Sequence, residues 1–112
     1  MSSHESARRN VVLERILCAA IWFDELKKHV HQPKNIQTGF VVCGRRHHNC
    51  YATLVAVLGD DNWQDTKMGF NQTQGFVTSL DRFVNRAEAG AIAHVARQTD
   101  QLHDRLISEH LY

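Results

Sequence analysis

Gly39-Phe40-Val41-Val42-Cys43-Gly44-Arg45-Arg46-His47-His48-Asn49-Cys50 is the stretch that decides how this 112-residue chain folds. A short apolar run reaches a glycine and then passes through two guanidiniums, two imidazoles and a carboxamide. It opens into Tyr51, Leu54, Val55 and Leu58, which fall at i, i+3, i+4 and i+7. That spacing predicts a strand over residues 40–43 followed by a helix with one apolar stripe. A strand that runs into a helix start sets unpaired backbone N–H groups beside Arg45 and Arg46, an arrangement suited to an anion.

Upstream, Ile16-Leu17-Cys18-Ala19-Ala20-Ile21-Trp22-Phe23 is apolar at both parities, as expected of a strand covered on both faces. In so small a protein another subunit could supply the second cover. The polar segment 24–37 contains the only proline, Pro33, and reads as a loop or ragged strand edge. Residues 1–14 read as a flexible leader, leaving 15–112 as a single ligand-binding domain.

Downstream, Gly59 is a plausible helix stop, and the stretch from Asp60 to Gln74 reads as polar connection in which Trp63, Met68 and Phe70 pack down. Residues 75–79 form a short strand and Leu80-Asp81-Arg82 a turn. Asn85 with Glu88 three residues on matches a capping box, and Ala89, Ile92, Ala93 and Ala96 repeat the helical stripe, with the helix expected to end near residues 98–100. A terminal aromatic, Tyr112, should dock. The order of elements predicts an α+β single domain: a small, mostly antiparallel sheet packed against two helices.

Composition bounds the function. A chain of this length buries roughly two thirds of its unfolded surface and needs no staple. Its 43% apolar and 22% charged residues are ordinary for a soluble domain, and no run is long enough to span a membrane. A net charge of +1 argues against coating duplex nucleic acid. Three cysteines, an odd count in apolar segments, fit free thiols in a reducing cytoplasm.

Cys43, His47, His48 and Cys50 give C-x3-H-H-x-C, a poor spacing for zinc, so Cys43 and Cys50 are expected in the core and no metal or cofactor is expected. Cys50 with His47 is the one Cys–His pair, and a buried thiol argues against a nucleophile. No phosphate-loop, dinucleotide or hydrolase motif occurs, so no catalytic residue is assigned. Phe76, Thr78, Arg82, Phe83 and Arg86 instead combine an aromatic face, a hydroxyl and guanidiniums near a helix start, which are the needs of a nucleotide. The alternative for Phe76 and Phe83 is core packing.

Cys18-Ala19-Ala20-Ile21 before an aromatic pair, His31-Gln32-Pro33 with Asn35-Ile36, Thr38-Gly39-Phe40 through Arg46-His47 to Asn49-Cys50, and Gly75-Phe76-Val77-Thr78 with Arg82-Phe83-Val84 and Arg86 resemble the phage anti-Thoeris decoy family. The resemblance spans about Cys18 to Ala93, and Ser108-Glu109 with Leu111-Tyr112 is similar to that family's terminus. It implies sequestration, without cleavage, of a cyclic ADP-ribose isomer in the cytoplasm of an infected bacterium, by a homodimer or a hexamer built as a trimer of dimers. It further implies that Phe76 stacks on adenine and that Arg82, Arg86 or Arg105 meets the pyrophosphate, with Thr78 nearby. Arg45, Arg46, His47 and Asn49 would join that site or line a second one for cyclic trinucleotides. The alternatives are a small phosphodiesterase or hydrolase using His47 or His48 as general acid or base, and an interaction protein with no small ligand.

Overall fold

The computed structural model describes residues 13–58 and 71–111. In chain order they form β1 (Ile16–Phe23), β2 (Phe40–Gly44), α1 (His47–Leu58), β3 (Gln72–Thr78), β4 (Phe83–Asn85), α2 (Arg86–Val95) and a short 3-10 turn at Ser108–His110. Among the described residues the strands build one antiparallel sheet in the order β2-β1-β3-β4, with both helices packed against it. The fold is α+β, as the order of elements predicts.

β1 is central because it is the most apolar strand. Ala19, Ile21 and Phe23 are fully buried among Cys50 and Leu54 of α1, and Phe23 pairs with Phe40 of β2. Each such large buried side chain contributes about 2 kcal/mol. On the opposite parity Ala20 is buried and Trp22 half-buried. The chain itself covers part of that face: Trp22 Nε1 donates to the Thr38 carbonyl at 2.9 Å and its ring meets Phe83 at 6.1 Å. Asn35 completes the cover. Its side chain donates to Phe83 O at 2.7 Å and accepts from Phe83 N at 2.8 Å, pairing the outer edge of β4 as a strand would.

In α1 the residues most buried are His47, Cys50 and Leu54, with Tyr51 and Val55 half-buried at the margins, so the inward stripe is turned toward the helix start relative to the expected one. α2 begins with the expected capping box between Asn85 and Glu88. Ala89, Gly90 and Ala93 face inward, and a Cβ at Gly90 would overlap the His103 carbonyl oxygen, so the tail crosses α2 at backbone distance.

Several expectations need correcting. α2 ends at Val95, not near residues 98–100: Arg97 takes φ 60°, Gln98 N donates to Ala93 O at 2.8 Å and Arg97 N to His94 O at 3.0 Å. This is a left-handed helix stop built on arginine instead of glycine, so no punctuation marks it in the sequence. Gln72 to Gln74 belong to β3, and Phe83–Asn85 form a further strand between the expected turn and the first residue of α2, with Asn85 still its cap. Cys43 is exposed, not core, because it lies on an edge strand, where it pairs with Ala20 of β1; Cys50 is buried as expected. The expectations for residues 1–12, for Gly59 through Phe70 and for Tyr112 lie outside the described residues.

Candidate anion-binding site

Gln72 and Gln74 share one face of β3 with Phe76, two residues apart at each step. Tyr51 of α1 stands on one side of them. The start of α2 stands on the other, with Arg86 at its first position and Ala87 at its second. Together with Thr73, Asn85 and Arg105 they line a cleft of about 600 Å³, the size range of small-ligand sites.

A directed hydrogen-bond chain fixes its floor. Arg86 Nη2 donates to Gln74 Oε1, Gln74 Nε2 donates to Tyr51 Oη at 3.1 Å, and Tyr51 Oη donates to Gln72 Oε1 at 2.6 Å. Arg86 Nε is buried and has no hydrogen-bond partner among the described residues. Such an orphaned donor is costly unless a ligand or water meets it. Arg105 reaches the rim because Leu106 N donates to Arg86 O at 2.9 Å and the Leu106 side chain is fully buried. Among the described residues the lining includes two arginines and no carboxylate, and the first N–H groups of α2 add partial positive charge. The cleft is chemically a site for an anion.

The structure separates residues that sequence reasoning had grouped. Arg82 does not join Arg86. Its Nε and Nη2 form a fork on Glu14 at 2.8 Å each, and Thr78 Oγ1 donates to the same carboxylate at 2.5 Å. Gln74 and Thr78 are four strand residues apart, about 13 Å, so this is a separate cluster at the far end of β3. Hydrogen bonding from Arg82, then from Thr78, holds the Glu14 carboxyl below its ordinary 4.5 against the opposing effect of burial. Glu14, placed with the leader by sequence, is therefore pinned to the β3–β4 turn.

Phe76 is fully buried and meets the His47 ring edge-on at 5.2 Å, so no face of it is open to a base; the stacking role implied by the resemblance does not fit this placement. His47 Nε2 donates to Gly75 O at 2.9 Å. Burial, helped by the charge on Arg86 and opposed by the hydrogen bond to Gly75, pushes its pKa below 6.5, which favours a neutral core imidazole. Asn49 Oδ1 accepts from Arg46 N at 3.1 Å, closing the start of α1. Arg45 and His48 are exposed and Arg46 half-buried at that junction, on a different part of the surface from the cleft's described lining. Sequence reasoning missed Tyr51, Gln72 and Gln74. The one available signal was the Gln-Thr-Gln run, whose alternation is compatible with a polar strand.

No group of three or more His, Cys, Asp or Glu among the described residues could hold a metal ion. No helix among them is long and apolar enough to cross a membrane. Fold and cleft together define a small α+β domain with a preorganised cationic cleft between its helices. The chain belongs to the Phage T4 y16D protein family, whose model matches residues 15–112. No curated protein and no solved structure matches it.

Proposed function

We propose that this phage protein is a non-catalytic binder that sequesters a small anionic nucleotide of the cyclic ADP-ribose class in the cleft between Arg86 and Arg105. The observation that carries the reading is the Arg86 guanidinium, aligned by Gln74 while its buried Nε lacks a partner among the described residues. A donor held in this way is ready for a phosphate oxygen without further reorganisation. Two guanidiniums and a helix start suit a pyrophosphate, and the sequence resemblance to anti-Thoeris decoys points to the same ligand class. A sponge requires slow release and no nucleophile.

Phe76 being core, the base must be held by other groups, which a homodimer or a trimer of dimers could contribute. Arg45 and Arg46 at the start of α1 would then serve cyclic trinucleotides, with Asn49 and His47 shaping that helix start from behind. The site of action is the cytoplasm of the infected host cell.

The test is to load the protein with cyclic ADP-ribose isomers, remove free ligand, release the bound fraction by heat and chromatograph it. Intact ligand from the native protein, and none from Arg86→Ala, is expected. Recovery of ADP-ribose or another hydrolysis product would overturn the binder reading in favour of a hydrolase.

A further inference from the structure

Away from the cleft, β1 and β2 bring two thiols together. Cys43 pairs with Ala20 in the β1–β2 register, so Cys18 lies two residues along β1 on the same face of the sheet. The register sets the two thiols diagonally across the strand pair, near enough for each to shift the other's titration. Cys43 is exposed and lines a second cleft of about 570 Å³ together with Val41 and Val42 of β2 and Val57 of α1. Cys18 is half-buried. β2 is an edge strand, paired on one side only, so a small backbone adjustment there is what a disulfide across this diagonal pair requires.

We propose that Cys18 and Cys43 form a peroxide-sensitive dithiol, with Cys43 as the attacking thiol and Cys18 as the resolving one. The hydrogen bond from Cys18 lowers the Cys43 pKa to about 7, whereas burial pushes Cys50 up to about 11. Exposed and with its pKa lowered, Cys43 is the thiol that ionises first, and Cys50, fully buried, stays inert.

The oxidant is a hydroperoxide. The Cys43 thiolate attacks one peroxide oxygen, the O–O bond breaks, and the sulfur is oxidised to a sulfenic acid as the leaving alkoxide or hydroxide takes up the proton released by Cys18. The Cys18 thiolate then attacks the Cys43 sulfur, the S–O bond breaks, and hydroxide leaves as water with the proton that Cys43 first lost. Two thiols and one hydroperoxide give one disulfide, one alcohol or water from the leaving oxygen, and one water.

Hydrogen peroxide is the probe. Treating the full chain and mapping its peptides by mass spectrometry should give a Cys18–Cys43 cross-link with Cys50 still reduced. In Cys18→Ala the same treatment should leave Cys43 as a dimedone-reactive sulfenic acid. Without peroxide, alkylation of Cys43 by iodoacetamide at pH 7 should slow roughly fivefold in Cys18→Ala, since lost thiolate outweighs gained nucleophilicity. An unchanged alkylation rate in Cys18→Ala, or oxidation that falls first on Cys18 or Cys50, would overturn the proposal.

Discussion

The Arg86 guanidinium donates to the Gln74 side chain while the Arg86 carbonyl accepts from Leu106, so one residue ties the cleft's floor to the tail that carries Arg105. Gln74 is held in turn by Tyr51. Tyr51→Phe removes the hydroxyl that accepts from Gln74 and donates to Gln72. It should weaken binding of a cyclic ADP-ribose isomer about fivefold, the worth of one net hydrogen bond, with Arg86→Ala costing roughly ten- to a hundredfold. Calorimetric titration of both variants checks the order; an unchanged affinity in Tyr51→Phe would show that the relay does not align Arg86.

Arg82 gives a contrasting case. Its carboxylate partner comes from its own chain, so Arg82→Ala should lower stability by about 1 kcal/mol, a modest loss for a partly exposed pair, and leave affinity unchanged. A large affinity loss with an intact melting transition would place Arg82 at the ligand after all.

Phe76 separates packing from stacking. Phe76→Ala should cost about 3–5 kcal/mol because the ring is fully buried. Phe76→Leu should lower the melting temperature by several degrees while the folded fraction keeps its affinity. Lost binding in a well-folded Phe76→Leu would restore the ring to the ligand.

Gly90 tests the crossing of the tail. In Gly90→Ala the new methyl meets the His103 carbonyl, and overpacking of this kind costs about 1–3 kcal/mol. Because the displaced segment carries Arg105 and Leu106, affinity should fall as well, although residue 90 touches no ligand. Thermal melts with a parallel binding isotherm measure both.

The pH dependence has two windows. His47 and, more weakly, the half-buried His110 have pKa values lowered first by desolvation, so each contributes stability that is complete above the ordinary 6.5 and is lost as pH falls below it, when the ring must charge. Glu14, held low by Arg82, contributes stability present above 4.5 and lost as pH falls further. Melting temperature should therefore decline first between about pH 6.5 and 5 and again below 4.5. His47→Gln should flatten the first decline and Glu14→Gln the second; a wild-type profile flat from pH 7 to 5 would contradict the burial of His47.

What the sequence determined by itself was local. The apolar run of β1, the glycine and cluster before α1, the Asn85–Glu88 cap of α2 and the α+β order all follow from periodicity and turn chemistry, which act within a few residues. Arg86 was legible as a guanidinium at a capped helix start, whereas Arg105 entered only through the family resemblance. The tertiary structure decided which groups share a volume. Packing turned Phe76 and His47 into the core, and Glu14 drew Arg82 and Thr78 to the far end of β3. The crossing of the tail over Gly90 brought Arg105 to Arg86. Gln72, Gln74 and Tyr51 became site residues because β3 and α1, distant in sequence, set their polar ends facing. No short-range pattern encodes that meeting, since it depends on long-range pairing and on hydrogen bonds that form once the sheet exists.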